Sequence, residues 1–200
     1  DRVTKLGTYV FQSCTGLESA KIGGGVTSVP NYMFHGCTNL VNVELSEKVT
    51  SIGNSAFYNC KGLKSLPVTE SITSIGTNAF YGCTSLTSVN LSDKVTSLGA
   101  SAFYGCSSLT EAVLGTGITT LGSSLFRNDA KLKKVVANGK IASVSTYTFN
   151  GCSWNVSILT IHRRPVQVPI HLPKCRQPAG FMSLPKLVNS MPRPPIGRIS

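Results

Sequence analysis

The sequence predicts a repeat solenoid of about seven 23-residue coils, built mainly from short parallel β-strands joined by turns or short helical segments. Two observations carry this. Phe recurs at positions 11, 34, 57, 80, 103, 126 and 149, an interval of 23 residues repeated without an insertion. Three residues after each Phe stand Cys14, Cys37, Cys60, Cys83, Cys106, Asp129 and Cys152, and six after stand Leu17, Leu40, Leu63, Leu86, Leu109 and Leu132, until Asn155 breaks the series. A unit of this length cannot enclose its own apolar positions, so it stacks on copies of itself and each recurring residue becomes a column. At a strand spacing of about 4.8 Å the seven coils make a rod roughly 34 Å long.

The elements follow from the spacing within a unit. Apolar residues two apart recur as Ala20/Ile22, Val43/Leu45, Leu66/Val68, Val89/Leu91, Ala112/Leu114 and Val135/Ala137, the pattern of a short strand with one buried face. The intervening positions then point outward: Asn42/Glu44, Ser65/Pro67, Ser88/Asn90, Glu111/Val113 and Lys134/Val136. A second apolar pair follows as Val49/Ile52, Ile72/Ile75, Val95/Leu98 and Ile118/Leu121, each ending in a glycine, Gly53, Gly76, Gly99 or Gly122. Those glycines are expected to turn the chain with positive φ. Thr50/Ser51, Thr73/Ser74, Thr96/Ser97 and Thr119/Thr120 form a hydroxyl ladder on the second strand, read as a solvated face of β-favouring residues in preference to an ice-ordering array.

The pattern VTSIGxxAFxxCxxLxxVxL runs nearly whole from Val49 to Val68, from Ile72 to Leu91 and from Val95 to Leu114, and it resembles the BspA-like leucine-rich repeat, also called the Treponema pallidum-type class. The resemblance covers roughly residues 3–154, with departures at Asp129 and Asn155 and throughout the segment that follows. It implies a leucine-rich-repeat solenoid on a secreted or cell-surface protein of a microbe that colonises a host, used in adhesion.

Charge and composition divide the chain. Residues 1–129 balance eight Lys/Arg against eight Asp/Glu, whereas residues 130–200 carry eleven Lys/Arg and no acid, and eight of the ten prolines lie beyond residue 164. The expected domains are a solenoid over 1–155, a non-repeat cap or exchanged extended segment over 156–175, and a basic Pro-rich tail over 176–200. Val166, Val168, Ile170 and Leu172 alternate with polar residues or proline, which suits an edge strand or polyproline-like packing. A solenoid's last coil exposes its apolar end and must be capped, so this segment either folds back on coil 7 or crosses to a second molecule as a homodimer. Its basic residues would attract anionic partners. No RNA- or DNA-binding module occurs, so nucleic acid ranks last among these, and no stretch of eighteen apolar residues occurs to span a membrane.

Candidate sites are few. The outward strand row, Asn42, Glu44, Ser65, Ser88, Asn90, Glu111 and Lys134, is the extended surface that repeat proteins offer to partners. Tyr58, Tyr81 and Tyr104 each follow the repeated Phe, with His35 in the same place one coil earlier. They form either a structural stack or an aromatic strip for a ligand. Cysteines in a parallel column do not converge on zinc and lack the torsion for a bridge, so they are read as buried thiols, with Cys175 outside the column as an exposed or intermolecular thiol. His162 and His171 have no acid near them in sequence, and no nucleophile-and-base constellation or cofactor motif is present. The reading is a non-catalytic binding protein with no metal or cofactor that contacts an extracellular protein or glycan. The alternative is an assembly module that self-associates through the C-terminal segment.

Overall fold

The computed structural model describes residues 2–153 and 157–160. Twelve short strands occur among them, in chain order β1 (Ser19–Ile22), β2 (Ser28–Val29), β3 (Asn42–Leu45), β4 (Ser51–Ile52), β5 (Ser74–Ile75), β6 (Ser88–Asn90), β7 (Ser97–Leu98), β8 (Glu111–Leu114), β9 (Thr120–Leu121), β10 (Lys134–Ala137), β11 (Ser143–Val144) and β12 (Ser157–Thr160). All pairing is parallel and in the repeat register, so Ala20 faces Val43, and Ala112 faces both Val89 and Val135. The described residues contain no helix, so turns alone join the strands.

The first strand row is divided. β1 pairs with β3, and β6, β8, β10 and β12 form a second sheet, while coil 3 contributes no strand between them. Leu66 and Val68 were expected to face the core there with Pro67 outside. Leu66 and Val68 do pack against the core, half-buried, but Pro67 is buried instead of outside. Proline has no N–H to give the ladder, so the segment leaves the sheet and its alternation shifts. The second row likewise forms two sheets, β2-β4-β5-β7 and β9-β11.

A third ladder joins the coils without any strand geometry. In every coil from 1 to 6, three N–H groups around the Phe donate to carbonyls of the next coil: Ser55 to Thr77 at 2.9 Å, Phe57 to Ala79 at 2.8 Å and Asn59 to Tyr81 at 2.7 Å are one such set. The flanking donors sit in left-handed backbone. Tyr9, Tyr32, Ser55, Asn78, Ser101, Ser124 and Tyr147 form one column of positive φ, and Ser13, Gly36, Asn59, Gly82, Gly105, Asn128 and Gly151 form the other. The glycines expected to turn the chain this way do not. Gly53, Gly76 and Gly99 are needed for close approach, because a Cβ would lie 2.6, 2.6 and 2.3 Å from atoms of Asn31, Asn54 and Thr77 one coil back.

The core is a set of columns. The seven phenylalanines stack from Phe11 to Phe149 with ring centroids 5.1–5.8 Å apart, and those from Phe34 to Phe126 are fully buried with the leucines Leu40 to Leu132. The in-register ladder continues through β12 to Thr160, beyond the expected boundary at 155. Residues 161–200 lie outside the described residues, and with them His162, His171 and the expected tail. Cys175, expected outside the column, also lies there.

Candidate functional site

The strand row sets the expected binding residues on one face. Asn42, Glu44, Ser65, Ser88 and Asn90 are exposed, and Glu111 and Lys134 are half-buried. Their charges are already used between coils. Lys21 Nζ lies 3.0 Å from Glu44 Oε2, and Lys134 Nζ donates to Glu111 Oε1 at 2.7 Å. Each pair falls on directly opposite positions of adjacent strands, where opposite charges attract modestly. The face therefore has no free charge at its named sites, and its middle, Ser65, Ser88 and Asn90, is neutral and small. Sequence reasoning passed over Val113 and Val136, which pair across β8 and β10 and remain half-buried on the outward side. Their outward position was legible in the alternation; that they form the apolar part of an otherwise polar face depends on the register.

Tyr58, Tyr81 and Tyr104 come together as a stack with centroids 4.6 and 4.4 Å apart, and His35 adds to it at 4.7 Å from Tyr58. The ring faces are occupied by one another, which leaves ring edges and hydroxyls at the surface. Burial and the neighbouring phenols Tyr104 and Tyr58 push the Tyr81 hydroxyl up from its ordinary pKa. Arg127 closes the stack. Its guanidinium carbon lies 5.8 Å from the Tyr104 ring and 5.3 Å from the Tyr147 ring, a distance at which the ring quadrupole attracts a cation. Asn128 Nδ2 donates to the Tyr104 hydroxyl at 2.9 Å.

The cysteine column is structural in detail. Cys37, Cys60, Cys83, Cys106 and Cys152 each donate Sγ–H to the carbonyl of the Phe one coil back, at 2.9–3.3 Å. Burial raises the pKa of the Cys60, Cys83 and Cys106 thiols, which keeps them protonated and unreactive. Asp129 stands in this column, fully buried, and neither carboxyl oxygen has a hydrogen bond of good geometry. Desolvation pushes it up to about 9, only partly offset by the backbone N–H groups of Cys106 and Gly105. The threonine ladder is also engaged: Thr50, Thr73 and Thr96 donate their hydroxyls to Thr27, Thr50 and Thr73 carbonyls at 3.3, 3.1 and 3.5 Å.

Comparison with known proteins agrees with this geometry. A family model described as the BspA type leucine rich repeat region matches residues 1–83 and 27–156, in six copies. The structure is similar to the leucine-rich repeat protein of T. pallidum, with 29% identity, 75% of this chain and 70% of that one covered, and a TM-score of 0.71. It is similar to a leucine-rich repeat protein from Bacteroides ovatus at 31% identity and a TM-score of 0.67, covering 72% of this chain and 38% of that one. The pneumococcal vaccine antigen PcpA shares the fold at 22% identity and a TM-score of 0.56, with 72% and 41% covered. No curated protein sequence matches the chain.

Proposed function

The chain belongs to the BspA-type leucine-rich-repeat family, and from that premise we propose that it is a non-catalytic binding protein, secreted or held at a cell surface, whose strand face contacts an extracellular protein or glycan. The observation that supports this reading most is the register of β6, β8 and β10, which holds Ser88, Asn90, Glu111, Val113, Lys134 and Val136 on one rigid face. Val113 and Val136 form its apolar centre, the Glu111–Lys134 pair borders it, and the small residues of β6 extend it. An interface centre of this kind excludes water while its polar rim selects the partner. Affinity is spread over several coils, as repeat surfaces distribute it.

The test is a binding screen of the full chain against immobilised extracellular-matrix proteins and glycans, repeated with Val113→Glu/Val136→Glu and with Asn42→Lys/Asn90→Lys. The expected outcome is a loss of about tenfold or more in affinity for any positive ligand, about 1.4 kcal/mol, with an unchanged melting temperature. Binding that survives both double variants removes the strand face from consideration.

A further inference from the structure

We propose that the aromatic flank of coils 3 to 6 is a second binding surface, separate from the strand face, on which Tyr58, Tyr81, Tyr104, Arg127 and Lys131 hold a linear acidic glycan laid along the solenoid axis.

The stack extends beyond its three tyrosines. Tyr9 stacks on Tyr32 at 4.8 Å, Tyr32 meets His35 at 6.0 Å, and His35 stacks on Tyr58. At the other end Arg127 joins Tyr104 to Tyr147, so one line of rings and a guanidinium crosses all seven coils. Because the rings cover one another's faces, they turn their edges outward, and the edge is the positive part of the aromatic quadrupole. The Tyr81 hydroxyl is hydrogen-bonded to the neighbouring phenols Tyr104 and Tyr58, and Tyr104 accepts from Asn128. Three phenols use at most two of their hydrogens among themselves, which leaves an O–H for an outside acceptor.

Charge on this flank has one sign. Counted in each coil from two residues before the Phe to five after it, the only acid is Asp129, and the other seven Asp/Glu lie elsewhere in the repeat. Asp129 is fully buried and, with its carboxyl pushed up to about 9, neutral at pH 7. The same turns carry Lys61, Arg127 and Lys131, and none of these has an ion pair among the described residues. Lys131 is exposed in the turn that leads to β10. Arg127 Nε is buried without a hydrogen bond, and the rings beside it attract the cation without neutralising it. On the strand face, by contrast, Lys21 and Lys134 are already paired with Glu44 and Glu111. Positive ring edges, a hydroxyl donor and uncompensated cations complement an anion. They recur once per coil, so Tyr58 to Arg127 spans three steps or about 14 Å. That line suits a polymer in preference to a single ion, and a glycan bearing sulfate or carboxylate groups supplies anions and hydroxyls together along it.

Calorimetric titration of the full chain with sulfated and uronate oligosaccharides, short and long, tests this, with a neutral glucan and polyglutamate beside them. The expected result is binding of the longer acidic chains that weakens as salt is added, and the tighter of the sulfated and uronate chains identifies the anion. Arg127→Gln/Lys131→Gln should weaken that binding about tenfold or more, and Tyr58→Phe/Tyr81→Phe/Tyr104→Phe, which removes hydroxyls alone, about threefold or more, each with an unchanged melting temperature. Lys48→Gln/Lys94→Gln removes the same charge from exposed turns between the two strand rows and should weaken it less than about twofold. Equal losses from the two charge pairs would reduce the contact to net charge and overturn the proposal. No binding of any acidic chain, wild-type affinity in the triple Phe variant, or tighter binding of the glucan or polyglutamate also overturns it. Val113→Thr/Val136→Thr should leave this affinity unchanged; a loss there places the glycan on the strand face, which overturns this proposal and supports that earlier reading.

Discussion

Asp129 shows what one residue changes in a column. Every other occupant of its position is a cysteine, and those in described coils 2 to 5 and 7 donate Sγ–H to a carbonyl one coil back. A carboxylate has no proton to give and loses its hydration when buried. That loss of hydration disfavours the charged form, which is why burial holds its pKa at about 9 against an ordinary 3.8. The sign follows from linkage. Between these values the folded state holds a proton that the unfolded state has released, so the stability associated with Asp129 is complete below pH 3.8 and is lost as pH rises through about 9. Asp129→Cys is therefore expected to raise the melting temperature, by a margin that widens from pH 4 to pH 9 in thermal melts followed by circular dichroism. A margin independent of pH would mean that the carboxyl is hydrated or paired.

At the scale of the element, glycine and proline each act through a single atom. Gly99 has no room for a Cβ, which would meet the Thr77 nitrogen at 2.3 Å, whereas one added to Gly122 finds its nearest neighbour, Ala100 Cα, at 3.6 Å. Gly99→Ala is expected to destabilise by about 1–3 kcal/mol through overpacking against backbone. Gly122→Ala should be neutral or stabilising by up to about 1 kcal/mol, through lost freedom of the unfolded chain. Chemical denaturation of both variants checks the pair, and equal losses would return the explanation to backbone conformation. Pro67 divides the first strand row by the absence of its N–H. Pro67→Thr should join β3 to β6 through coil 3, seen as new exchange protection over residues 64–68. Unchanged exchange there would place the cause of the break in the shifted packing of Leu66 and Val68.

Across the whole molecule the coils support one another in sequence, so position along the axis decides what a residue contributes. Phe80 lies between Phe57 and Phe103 and is fully buried, while Phe149 stacks on Phe126 at the end of the described column. Phe80→Ala is expected to destabilise by about 3–5 kcal/mol, and Phe149→Ala by clearly less, in equilibrium urea unfolding. Equal effects would mean that the last coil is covered as completely as the middle ones. The same axial order limits the aromatic stack. Tyr81 has neighbours on both ring faces, so a ligand meets only its edge.

Most of this architecture was legible as a period. The recurrence of Phe, Cys and Leu determined the coil length, the columns, the parallel pairing and the outward row from Asn42 to Lys134, because a repeated unit with one buried face can satisfy itself only by stacking in register. Contacts between coils were beyond the period. The pairing of Lys21 with Glu44 and of Lys134 with Glu111, the occupied faces of Tyr58 and Tyr81, and the buried Pro67 were decided by the tertiary structure. So was the exchange of roles by which Gly99 serves close approach while Ser55 and Asn59 take the left-handed turns. The physical reason is the same in each case: a sequence period states which residues are one coil apart, whereas their distance, their facing atoms and the hydrogen bonds between them exist only once the coils are stacked.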